Sequence, residues 1–138
     1  MPEQDNARVV REIFDAWNAH DVERFTKLVD PNAVWESDAF AAAFRGHGGS
    51  RQFFQAYVGG FPDLHIDVAQ TIASGDHVVV RWRARGTHLG DFAGIKPTNG
   101  RLDLRGCTVA EVKAGKLVHG WVYLDNATLL RQLGVLPG

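Results

Sequence analysis

HVVVRWRARGTH, residues 77–88, alternates apolar Val78, Val80, Trp82 and Ala84 with charged Arg81, Arg83 and Arg85. A period of two marks a strand with one face buried and the other in water. Downstream, RLDLRGCTVAEV (101–112) repeats the pattern, setting Leu102, Leu104, Thr108 and Val112 against Arg101, Asp103, Arg105 and Glu111. Lys113-Ala114-Gly115-Lys116 reads as a hairpin turn into a last strand, LVHGWVYLD (117–125). Upstream, Leu64, Ile66, Val68 and Ile72 alternate with His65, Asp67, Ala69 and Thr71, and Ser74-Gly75-Asp76 makes the turn between.

Ahead of these strands the period changes. Val10, Ile13, Phe14 and Trp17 share one helical face, with Asp5 or Asn6 as candidate caps. Asp21 is placed to cap a second, short helix burying Val22, Phe25 and Leu28. Asp30-Pro31-Asn32 reads as a turn and Ala33–Ser37 as a short strand. GHGGS (46–50) reads as a flexible entry to a helix carrying Phe53, Phe54, Tyr57 and Val58, ended by Gly59-Gly60 and Pro62. A final helix runs from Asn126 to Leu133 and stops at Gly134. Helices first and consecutive strands after give an α+β class with an antiparallel sheet packed on the N-terminal helices.

At 138 residues the chain is long enough for one domain, 1–138, with a real core. A formal net charge of −1 supplies no basic excess for nucleic acid. Cys107 is the only cysteine, which rules out an intrachain disulfide, and it has no histidine partner in sequence. No apolar stretch is long enough to span a membrane. The start MPEQDNARVV is acidic and polar, unlike a signal peptide, so a cytoplasmic protein is expected. No two histidines have the close helical spacing of a metal site, and no metal is expected.

GHGGSRQFFQAYVGGFPDLHIDV (46–68), VVVRWRARGTHLGDFAGIKPTNGR (78–101) and GKLVHGWVYLDNATLLRQLG (115–134) resemble the SnoaL-like polyketide cyclases. These belong to the superfamily of nuclear transport factor two and ketosteroid isomerase. The resemblance covers essentially the whole chain. It implies a cone-shaped α+β barrel whose curved sheet and helices enclose a central apolar pocket. It further implies a cofactor-free intramolecular aldol cyclisation of an apolar polycyclic carbonyl compound, a homodimer, and an acid/base aspartate mapping onto Asp125. The pocket histidine of the cyclases falls at Thr108, which can hydrogen-bond but cannot shuttle a proton near neutral pH. The superfamily also hosts hydrolases, isomerases and non-catalytic binding proteins.

Asp125 reads in two ways. As a general base it would sit among Trp and Tyr with a raised pKa; as the N-cap of the last helix it would be held ionised. His88 opens the long loop THLGDFAGIKP and can donate to an enolate oxygen, or bond nearby backbone. Trp35, Phe53, Tyr57, Trp82, Thr108 and Trp121 are the candidate lining for a flat apolar or aromatic ligand. Glu36 and Asp38 share a face and read mainly as solvent-facing acids. Arg101 and Asp103, placed as in epoxide hydrolases of the superfamily, fall on the face opposite Thr108. The row Arg81, Arg83 and Arg85 is expected to pair with Asp67, Asp103 or Glu111 on neighbouring strands, or to meet a second copy.

Overall fold

The computed structural model describes residues 2–137. Helices α1 (Pro2–Ala19) and α2 (Val22–Lys27) precede strands β1 (Val29–Ser37) and β2 (Phe44–Arg45). Helix α3 (Gly46–Gly60) leads into β3 (His65–Ser74), β4 (His77–Thr87), β5 (Arg101–Lys113) and β6 (Lys116–Leu124), and α4 (Asn126–Gln132) follows. The single-domain expectation over 1–138 includes Met1 and Gly138, which lie outside the described residues.

The strands form one curved, unclosed sheet in the order β2-β1-β6-β5-β4-β3. From β3 to β6 it is an antiparallel meander, and β1 joins the free edge of β6 in parallel. The expected burial of β4 and β5 holds residue by residue. Val78, Val80, Trp82, Ala84, Leu102, Leu104, Thr108 and Val112 are buried, and the arginines of β4 are exposed. Helix α1 lies against β3 and β4, and α3 against β1, so the concave face is closed by helices. This is the expected cone-shaped α+β fold.

Two cross-strand pairs shape the concave wall. Trp82 on β4 stands opposite Gly106 on β5, and Trp35 on β1 stands opposite Gly120 on β6. A Cβ on Gly106 would lie 2.3 Å from the Trp82 ring, and one on Gly120 would lie 2.4 Å from the Trp35 ring. Each indole thus lies flat over a glycine, which is what lets two large side chains share a strongly curved surface.

Several local expectations are corrected. Helix α1 begins at Pro2, so Asp5 and Asn6 are inside it; Asn6 instead donates to the Gly75 carbonyl at 3.2 Å. Asp30-Pro31-Asn32 is not a turn but part of β1, inside a register irregularity between Val29 and Val34. Pro31 is tolerated there because that stretch makes no regular ladder. GHGG is the first turn of α3, with Gly46 at a φ of +75°. On the edge strand β3 a register shift between Val68 and Gln70 breaks the alternation, leaving Val68 and Ile72 exposed.

Candidate functional site

The cone encloses a cavity of about 60 Å³. Helix α1 contributes Val10, Ile13, Phe14 and Trp17; the sheet contributes Trp35, Trp82, Leu104 and Thr108; α3 contributes Phe53 and Tyr57. Phe92 from the loop between β4 and β5, and Leu124 and Leu129 around the start of α4, complete one end. Among the described residues, none of those lining it is charged. Five of the expected lining residues are therefore brought together: Trp35, Phe53, Tyr57, Trp82 and Thr108.

The polar groups of the lining are few and mostly satisfied. Trp82 Nε1 donates to Thr108 Oγ1 at 2.9 Å, with both residues buried. The Tyr57 hydroxyl shares a hydrogen bond of 2.7 Å with Ser37 Oγ, which also accepts from the Ala39 N–H at 3.2 Å. Burial pushes the Tyr57 phenol pKa well above its ordinary value, so the group remains a neutral hydroxyl. Thr108 is fixed by its indole partner and retains its own hydroxyl proton.

Trp121 is a correction. Gly120 and Val122 point into the cone, so alternation turns Trp121 to the outer face. There it stacks on His119 with ring centroids 3.8 Å apart, beside a separate surface groove of about 170 Å³ that also touches Glu36 and Tyr123. His119 Nε2 lies 2.6 Å from Glu36 Oε2. Ser37 faces inward between Glu36 and Asp38, as strand parity predicts, and Asp38 accepts from the Leu124 N–H at 3.1 Å.

Asp125 is the N-cap of α4. Its carboxylate accepts from the Thr128 N–H at 3.1 Å and from Thr128 Oγ1 at 2.7 Å. The side chain is exposed and does not line the cavity, although its neighbours Leu124 and Leu129 do. The Thr128 hydroxyl, then the Thr128 N–H, hold its pKa below the usual aspartate value. Of the two environments expected for this carboxylate, the structure shows the exposed helix cap and not burial among aromatic rings.

His88 is fully buried but is not part of the lining. Its backbone pairs with Gly100 and Asn99, pinning both ends of the 88–100 loop together. Its ring packs 5.6 Å from Phe61, and Nδ1 accepts from the Thr98 N–H at 3.2 Å. The loop reaches the cavity through Phe92 instead, a residue outside the periodic segments of the sequence. Phe92 sits 5.2 Å from Tyr57, 5.2 Å from Phe61 and 5.3 Å from Phe40 of the 38–43 loop. Gly60 and Gly90 allow this closure, since a Cβ on Gly90 would meet the Gly59 carbonyl oxygen at 2.0 Å.

On the outer face the arginines find partners on adjacent strands. Arg83 binds Asp103 through two hydrogen bonds of 2.7 and 2.6 Å, Arg85 binds Asp67 at 2.5 Å, and Arg81 donates to Gln70 at 2.8 Å. Arg101 and Asp103 are exposed and outside the cavity lining. No described helix is long and apolar enough to cross a membrane.

A model of the SnoaL-like polyketide cyclases matches residues 7–133. The chain belongs to the SnoaL-like polyketide cyclase family. Among solved structures, IdmH from Streptomyces antibioticus, provisionally assigned as a polyketide cyclase, is 32% identical. The alignment covers 94% of this chain and 99% of IdmH, with a TM-score of 0.73. A provisionally assigned SnoaL-like polyketide cyclase from Jannaschia sp. CCS1 shares the fold at a TM-score of 0.88 and 22% identity, over 98% of this chain and 95% of its own. AclR from Streptomyces galilaeus, provisionally assigned as a hydroxylase, is 26% identical with a TM-score of 0.83, over 99% of this chain and 85% of its own. No match was found among curated proteins. Family membership supports a cyclase-like or related pocket function, while relatives assigned to different reactions on one fold leave the chemistry to the site itself.

Proposed function

We propose that this protein binds a neutral, largely apolar small molecule inside the cone, with Asp125 serving as a helix cap. The observation that carries the reading is an interior cavity without a charged group in its lining, beside an acid that is exposed and already hydrogen-bonded. A charged ligand would lose its hydration there and gain no counter-charge. Stacking surfaces at Trp35, Phe53, Tyr57 and Trp82 suit a flat or aromatic molecule. The cavity of about 60 Å³ is less than half the roughly 150 Å³ that admits a benzene, so a ligand enters by parting the aromatic closure around Phe40 and Phe92.

A second reading, intramolecular aldol cyclisation, is favoured by the family match and by IdmH. Asp125 would then take a proton from a carbon between two carbonyls. The enolate would attack a third carbonyl of the same molecule, and the alkoxide would recover the proton. This requires the carboxylate to leave Thr128 and turn past Leu124.

One pair of measurements separates the two. Aromatic ketones are titrated into wild type and Asp125→Asn by calorimetry, and triketone substrates are screened for ring closure. Ligand affinity within about twofold in both proteins, with no turnover in either, supports binding. Turnover by wild type that Asp125→Asn abolishes, with the fold intact, establishes cyclisation instead.

A further inference from the structure

Among the described residues, the buried side-chain N and O atoms without a hydrogen-bond partner are Trp35 Nε1, Ser50 Oγ and His88 Nε2. All three can donate. An indole nitrogen does nothing else. The His88 ring has Nδ1 within 3.2 Å of the Thr98 N–H and 3.0 Å of Thr98 Oγ1, and its Nε2 is unpaired. Of the three residues, only Trp35 lines the cavity.

Trp35 is also held rigidly. It is 2% exposed, stacked on Phe53 at 4.9 Å and 17°, and tilted against Phe25 at 5.5 Å. Gly120 leaves the space its ring fills. The other indole of the wall, Trp82, has its N–H satisfied by Thr108, so the two tryptophans differ in what they still require. A water molecule would be a poor partner for Trp35, because a buried water needs two or more polar neighbours and this lining is nearly all apolar.

We propose that the Trp35 indole N–H is the specificity determinant of the cone, selecting ligands that present a carbonyl or ether oxygen over hydrocarbons of the same shape. This rests on the ligand-binding reading above and names the chemistry of its ligand. An apolar molecule would fill the cavity and leave the indole proton unpaired; a ketone would satisfy it.

The test compares acetophenone with ethylbenzene, which has the same phenyl ring and two-carbon side chain and lacks the oxygen. Wild type binds acetophenone more tightly, and Trp35→Phe, which keeps an aromatic ring and removes the N–H, shrinks that preference about tenfold. A second readout needs no variant at Trp35 to fold. The chain has four tryptophans, and their indole N–H resonances are assigned by replacing Trp17, Trp82 and Trp121 in turn. The remaining resonance, that of Trp35, moves downfield with acetophenone and not with ethylbenzene. An unchanged preference in Trp35→Phe, or an indole resonance indifferent to the oxygen, overturns the assignment while leaving the pocket reading in place. Failure of both compounds to bind wild type overturns the pocket reading and this one with it.

Discussion

The Trp82–Thr108 hydrogen bond offers a direct measure of how the cone wall is held. Thr108→Val is nearly isosteric and removes only the hydroxyl that accepts from the indole at 2.9 Å. Both residues are buried, so water does not replace the lost acceptor. Leaving the Trp82 N–H orphaned costs about 1–3 kcal/mol. The added methyl returns part of this, up to about 0.8 kcal/mol, by ordinary apolar burial. The net loss expected is about 1–2 kcal/mol, equivalent to roughly 3–8 °C in Tm for a chain of this size.

The single variant does not isolate the bond, but a double-mutant cycle does. In a Trp82→Phe background Thr108 has no indole to satisfy, and Thr108→Val becomes neutral or slightly stabilising. The coupling between the two positions is then about 1–2 kcal/mol. It is read from urea unfolding followed by far-UV circular dichroism, with the m-value checked for constancy across all four proteins. A coupling below about 0.5 kcal/mol, the scatter expected of independent sites, refutes the claim that this bond fixes the wall.

Asp125→Ala removes the α4 cap and lowers Tm by roughly 2–6 °C at neutral pH. Because the folded carboxyl pKa is lowered, its charge-dependent contribution is complete above the ordinary aspartate value of about 4 and fades as pH falls through the lowered value. The Tm gap between the two proteins should therefore narrow only in acid; a gap that narrows on the alkaline side contradicts the capped assignment. Gly120→Ala forces a Cβ to within 2.4 Å of the Trp35 ring and should cost about 1–3 kcal/mol by overpacking. Gly59→Ala, a helical site with open space around it, should gain about 0.5–1 kcal/mol in the same denaturation assay. Phe40→Ala loosens the contact with Phe92 and should raise the ligand dissociation rate about tenfold in stopped-flow traces, with a smaller change in association rate.

The legible parts of this fold are those where local pattern and tertiary environment agree. β4 and β5 are central strands with a packed face and a charged face, so period two survives intact and places Trp82 and Thr108 correctly. β3 lies at the edge, where a register shift costs little, and its alternation fails from Val68 onward. Pro31 suggested a turn because proline breaks ladders, whereas the irregular part of β1 has no regular ladder to break. Trp121 was legible in principle. Gly120 and Val122 flank it, and a glycine opposite Trp35 can only be inward, but that pairing needs the parallel β1–β6 contact that sequence does not announce. Asp125 carried both meanings in sequence, and in the structure its carboxylate is hydrogen-bonded to Thr128 as the cap of α4. Phe92 was invisible to periodicity because it comes from a loop whose path is set by close approach of Gly90 to α3.

The small size of the cavity has a specific origin in the same residues. The sheet is curved enough to make a cone, yet two indoles lie flat across its floor over Gly106 and Gly120, and Phe53, Tyr57 and Phe92 close over them. Each indole is held differently. Trp82 is locked by Thr108 and behaves as wall. Trp35 is locked only by packing, with its one polar atom unpaired. Packing restrains a ring sterically without satisfying its N–H, so Trp35 is the wall residue whose polar atom has no partner at all. Enlarging the cone by displacing Trp82 would break a made bond, whereas engaging a ligand oxygen at Trp35 would make a missing one. Ligand entry is therefore expected to reorganise the Trp35, Phe53 and Phe92 side and leave the Trp82–Thr108 side in place. Amide and indole chemical-shift changes on acetophenone binding should divide along that line, and large shifts centred on Trp82 with none at Trp35 would show that the cone opens from the other wall.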